Sequence, residues 1–188
     1  SSRGLGDVYK RQLVGVCDLF DNNAELGIDA SMNEVRPGGA PKGTAIRYKT
    51  HEEMLANENI DGVIIATPDH WHSRITIDAA KAGKHVYCEK GMTRTFDEAI
   101  DVYDAIKKTG IVFQLGHQNR QVEANEKARQ IYEQNLLGPV NLVELTTNRN
   151  SPWGAWYWGI HPDGNQKTID WERFQMPSPN KLTWGDGK

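Results

Sequence analysis

Val63-Ile64-Ile65-Ala66-Thr67-Pro68 and His85-Val86-Tyr87-Cys88-Glu89-Lys90, with helix-patterned residues 75–82 between them, decide the fold. Each begins as a short run of apolar, β-branched or aromatic residues and stops at a proline or a charged pair, the pattern of a buried strand. Gly83 follows the intervening stretch and suits a left-handed C-terminal cap. Strand, helix and strand in this order form a βαβ unit with parallel strands.

The same alternation extends in both directions. Upstream, Leu13-Val14-Gly15-Val16-Cys17 reads as a strand closed by Asp18, and residues 22–30 as a short helix before the break at Pro37-Gly38-Gly39. Thr50 is placed to cap a turn of helix over residues 51–55, with Glu53 at the capping-box position. Downstream, Thr95 caps a helix whose apolar positions Ala99, Ile100, Tyr103 and Ile106 follow helical spacing up to Gly110. Residues 111–115 form the next expected strand, 122–136 a helix ended by Gly138-Pro139, and 140–147 a longer strand. The pattern predicts a doubly wound parallel α/β sheet, its Val/Ile-rich strands covered by helices on both faces.

A chain of 188 residues holds one ordinary domain, or one domain and part of another. With 22 basic and 25 acidic residues the net charge is −3, which argues against nucleic acid as a partner. No apolar run approaches the length of a membrane span. Cys17 and Cys88 each sit in an apolar run and read as a reduced pair, with no disulfide framework. Residues 2–12 look like the translation of a sequencing-library adapter, so residues 1–12 are taken as non-native and the native chain is expected to begin near Leu13, its true start missing. Gly4-Leu5-Gly6 imitates a phosphate-binding loop, but no strand precedes it and no helix pattern follows.

Ligands of open parallel sheets bind at the carboxyl ends of the strands. Asp18, Thr67-Pro68 and Glu89-Lys90 all fall there and are expected to line one crevice. An acid at Asp18 suits the ribose hydroxyls of a bound dinucleotide and repels a 2′-phosphate, favouring NAD over NADP; the alternative is a turn-forming aspartate. Thr67 to His72 offer donors and a helix N-terminus to phosphate or ribose groups, or else Asp69 and Ser73 merely cap that helix. His70 and His72 lack a third ligand at suitable spacing, so no metal site is expected. Lys90 suits proton exchange with a substrate hydroxyl, and the competing reading is a surface ion pair with Glu89.

Ala66 to His72, Ala82-Gly83-Lys84-His85-Val86-Tyr87-Cys88-Glu89-Lys90 and Gly116-His117-Gln118-Asn119-Arg120 together resemble the signature of the Gfo/Idh/MocA oxidoreductases in order and spacing. The resemblance covers residues 13–149 and, more loosely, runs to Phe174. It implies a Rossmann-type NAD(P)-binding domain, partial here and spanning residues 13–119, followed over 120–188 by the truncated start of a substrate and oligomerisation domain built on an open antiparallel sheet. It also implies hydride transfer between NAD(P) and a sugar or polyol carbon. By position, Asp18, Thr67, Pro68, Asp69, His72, Glu89, Lys90 and Asn119 would contact the cofactor, Lys90 would be the catalytic or substrate-orienting lysine, and Lys90 and Arg120 would face substrate.

Three departures qualify the transfer. The family's first strand and glycine-rich loop are expected to be missing, so this chain by itself is expected to bind NAD weakly and to be inactive. Gly91 replaces the proline usual after the lysine, where the peptide bond is often cis, so a different Lys90 backbone is expected. Asp69 stands where asparagine is commoner and adds a carboxylate.

Trp153, Trp156, Tyr157 and Trp158 suit a sugar pocket, with Trp153 as the substrate contact, and equally suit a core or an interface. His117 and His161 read as structural. Two other classes compete with the dehydrogenase: an NAD-dependent glycosidase of the same fold and a non-catalytic sugar or nucleotide sensor. The intact protein is expected to be a homo-oligomer, and localisation is not encoded in these residues.

Overall fold

The computed structural model describes residues 12–32, 44–146 and 159–185. They form two compact units, one of residues 12–32, 44–115 and 163–185 and the other of 116–146 with 159–162. In chain order the elements are β1 (Gly15–Cys17), α1 (Asp21–Ser31), β2 (Ile46–Tyr48), α2 (His51–Leu55), β3 (Gly62–Ile65), α3 (Asp69–Lys81), β4 (His85–Glu89), α4 (Phe96–Thr109) and β5 (Phe113–Gly116), then a 3-10 turn (Gln118–Gln121), α5 (Glu123–Glu133) and α6 (Trp171–Gln175).

The strands assemble as two parallel sheets of a Rossmann-like α/β fold. β1 pairs with β2, Gly15 opposite Ile46, and β3 pairs with β4, Gly62 opposite His85. β5 flanks β4 on its other side. β2 escapes sequence reading because it is three residues long with Arg47 at its centre, too short to display a period. The strand expected over 140–147 is absent from residues 140–146, and Thr147 lies outside the described residues. A lone segment gains no ladder hydrogen bonds, and no described residue offers it a partner strand.

Local signals place the helix ends well. Thr50 Oγ1 accepts from Glu53 N at 3.1 Å and Thr95 Oγ1 from Glu98 N at 3.2 Å, each satisfying an orphan donor of the first turn. Gly110 ends α4 at φ +68°, a conformation costly for a side-chain-bearing residue. α3 begins at Asp69, six residues before the apolar pattern announces it, because its first turn is fixed by Pro68 as N-cap and by burial of Trp71, His72 and Ser73. Pro37-Gly38-Gly39 and residues 1–11 lie outside the described residues.

The core gathers Val63 and Ile65 of β3, Val86 and Cys88 of β4, and Trp71, Ile75 and Ala79 along one stripe of α3. The expectation that the strands are covered on both faces fails at Ile64, which is 75% exposed between its two buried neighbours. α4 likewise turns differently from its apolar spacing. Val102 is buried, while Ile100 and Tyr103, expected on the core side, are exposed. Both differences have one cause: a one-dimensional pattern marks apolar residues, and the packing partner decides which of them lose solvent.

Candidate active site

The free edges of β1 and β3 border a common groove of about 400 Å3, walled by Cys17, Asp18, Ile64, Thr67 and Pro68 and, from the returning C-terminal segment, by Arg173 and Phe174. Asp18 follows β1 directly. One of its carboxylate oxygens accepts from Phe20 N at 2.8 Å, so it forms the turn and lines the groove as well. Thr67 Oγ1 is buried with no hydrogen-bond partner among the described residues. An orphaned hydroxyl at the end of a parallel strand fits a ligand oxygen that completes it. Burial pushes the Cys17 thiol up to about 11, against the lowering charge of Arg173 and with the help of Asp18, Glu52 and Glu53. Both Cys17 and Cys88 are free.

Around Lys90 the geometry is set from α3. His72, in the first turn, is 1% exposed. Its Nδ1 lies 2.7 Å from Gly91 O and its Nε2 2.6 Å from Thr67 O. Both ring nitrogens are therefore spent on backbone carbonyls. The Cys88 side chain raises the His72 pKa to about 9, opposed by burial and reinforced by the Gly91 and Thr67 carbonyls. Asp69 is exposed, and one carboxylate oxygen stands 3.9 Å from where a Cβ on Gly91 would lie. Neither Asp69 nor Ser73 caps α3 through its side chain. Glu89 ends β4 and accepts from Tyr87 Oη at 3.3 Å. Lys90 itself is exposed. The Lys90–Gly91 peptide bond is cis despite the missing proline.

The other sequence-predicted residues are placed less informatively. Asn119 and Arg120 are exposed in the 3-10 turn of the second unit, where Asn119 O accepts from Asn125 Nδ2 at 2.5 Å. Trp153, with Trp156, Tyr157 and Trp158, lies outside the described residues.

Sequence reading missed the segment of residues 163–185 as part of the groove. Ile169 bridges Phe20, and Phe174 O accepts from Trp71 Nε1 at 2.9 Å and from His70 Nε2 at 2.7 Å. The one local signal is Asp170, whose carboxylate caps α6 by accepting from Arg173 N at 3.0 Å. His51, Glu52 and Asp78 bring three candidate metal ligands together. They are engaged instead by two guanidiniums, Arg74 on Asp78 and Arg173 on Glu52. Burial raises the Asp78 carboxyl, but hydrogen bonds from His51 and Arg74 outweigh it and hold the group below the usual carboxylate range.

Parallel strands, an acid closing the first of them and an orphaned threonine at the end of the third meet in one groove. The family model described as "Oxidoreductase family, NAD-binding Rossmann fold" matches residues 9–117. The chain belongs to the Gfo/Idh/MocA oxidoreductase family. It is 38% identical over 105 residues to the levoglucosan dehydrogenase of Pseudarthrobacter phenanthrenivorans, covering 53% of this chain and 27% of that one. It is 26% identical over 137 residues to the 2,7-anhydro-N-acetylneuraminate hydratase of Escherichia coli, covering 73% and 34%. A solved levoglucosan dehydrogenase, in complex with NADH and levoglucosan, superposes with a TM-score of 0.55 at 28% identity over 68% of this chain and 31% of that one. The chain spans about a third of the length of the curated relatives it matches. Among the described residues no helix is long and apolar enough to cross a membrane.

Proposed function

We propose that this chain carries the nucleotide-binding part of an NAD-dependent oxidoreductase that moves a hydride between the cofactor and a hydroxyl-bearing carbon of a sugar or polyol. The observation that carries the reading is the groove at the carboxyl ends of β1 and β3, where Asp18 and the orphaned Thr67 hydroxyl lie together in a chain of an NAD-binding family. Asp18 holds the adenosine ribose hydroxyls, its charge disfavouring NADP. Thr67 and Pro68 form the wall past which the dinucleotide runs, with Asp69 and Glu89 completing its surroundings; for Asn119 a cofactor contact rests on the family resemblance alone. Bound NAD supplies the hydride acceptor or donor. Lys90 exchanges the proton of the substrate hydroxyl, and a positioned amine in that role contributes on the order of a hundredfold or more. Arg120 and Trp153 contribute to the substrate side, and the intact protein is a homo-oligomer.

Dehydrogenase relatives acting on levoglucosan and on myo-inositol support the substrate class. The hydratase relative favours a second reading, in which the cofactor is bound but the net reaction is redox-neutral. One assay separates them. The intact protein is incubated with NAD and a panel of sugars, anhydrosugars and inositols, and NADH and products are followed together. Net NADH with an oxidised sugar supports the first reading. Product without net NADH supports the second, and neither product nor NADH with any member overturns the first.

A further inference from the structure

His72 faces two carbonyl oxygens, Gly91 O at 2.7 Å and Thr67 O at 2.6 Å, and carbonyl oxygens only accept. A neutral imidazole has one N–H and one lone pair. In either tautomer it would set a nitrogen lone pair against an oxygen lone pair inside a site that is 1% exposed. The imidazolium alone satisfies both contacts. Its two bonds run to different strands: Thr67 lies just past β3, and Gly91 follows Lys90 just past β4. The ring thus spans the two strand ends that flank the groove residues and the catalytic lysine.

We propose that the His72 imidazolium is a clasp that ties the Lys90–Gly91 backbone to the end of β3, which makes His72 a positioning residue for Lys90. The clasp stands on these contacts alone; its consequence for catalysis rests on the role of Lys90 given above. Cys88 on β4 is the titratable side chain that favours the charged ring. β3 contributes only apolar side chains, and the charged residues nearest in the chain are Asp69 at the start of α3, Glu89 at the end of β4 and Lys90 just past it. On the neighbouring helices, His51 is taken by Asp78, Glu52 by Arg173 and Glu98 by Arg94. The ring is therefore charged at neutral pH and released when the solution is made alkaline past about 9.

The test is an NMR titration of the isotope-labelled chain with neither cofactor nor substrate present. The His72 ring is expected to carry protons on both nitrogens at neutral pH. On loss of one near pH 9, the amide signals of Asp69, Gly91 and Met92 should move with the same midpoint. Cys88→Ala removes the largest influence on the ring and should lower that midpoint, with the amide signals following it. A neutral ring at pH 7, or amide signals that ignore the ring's titration in both proteins, overturns the clasp. That failure would leave the oxidoreductase reading standing, whereas an intact clasp without turnover in the intact protein would count against that reading alone.

Discussion

Arg173 lies over the face of Trp71, its guanidinium carbon 5.7 Å from the ring centroid. The pair joins residues 102 positions apart and, with the bond from Trp71 Nε1 to Phe174 O, fastens the segment of residues 163–185 to the first turn of α3. Trp71 is also in the core, 3% exposed, so one side chain serves both the packing of the sheet and the seating of that segment.

Trp71→Ala should therefore destabilise the chain by about 3–5 kcal/mol, the usual cost of truncating a buried aromatic. Urea denaturation followed by circular dichroism measures it. Limited proteolysis should show cleavage within residues 163–185 well before the remainder is cut. A loss below about 1 kcal/mol would mean that the ring is not packed as described.

Thr76 is wholly buried, and its hydroxyl has no partner among the described residues. Thr76→Val keeps the shape and removes the unsatisfied oxygen, so it should raise stability by about 1 kcal/mol. A fall in the denaturation midpoint would show that the hydroxyl is bonded in solution, through water or through the helix backbone.

The pKa of His72 is raised in the folded chain from 6.5 to about 9 by Cys88 and the two carbonyls. A raised folded pKa means that the native state holds the proton more tightly than the unfolded chain does. The contribution is complete below about pH 6.5, declines as the pH rises from there, and is gone above about 9. Stability measured across this window should fall in the parent chain and fall less steeply in His72→Gln. Parallel slopes in the two proteins would assign the loss to other groups.

In the intact protein, Lys90→Ala should lower kcat by a hundredfold or more, on the order expected for loss of a general acid–base group, while the Kd for NAD changes little. His72→Gln should lower kcat with a smaller change in KM, and its pH profile should lose the alkaline limb. Unchanged turnover in Lys90→Ala would remove that lysine from the chemistry.

Much of the fold is legible in the chain because its signals are local. Three strands stop where a proline or charged residue interrupts an apolar run, Thr50 and Thr95 cap helices through bonds to residues three positions on, and Gly110 takes the left-handed turn that glycine permits. The signature around Thr67 and Lys90 marks the candidate site for the same reason, since its residues sit at strand ends that the pattern itself locates.

What the sequence by itself determined is thus the order of β1, β3, β4 and β5 with the helices between them, the parallel class and the edge on which chemistry is to be sought. Only the tertiary structure decided that His72 spends both nitrogens on backbone carbonyls, that Ile64 and Tyr103 face outward, and that Arg173 and Phe174 help wall the groove. The physical reason is common to all three. Caps and strand ends depend on neighbours within a few residues, whereas burial and hydrogen-bond partnership depend on groups that folding brings together from far along the chain.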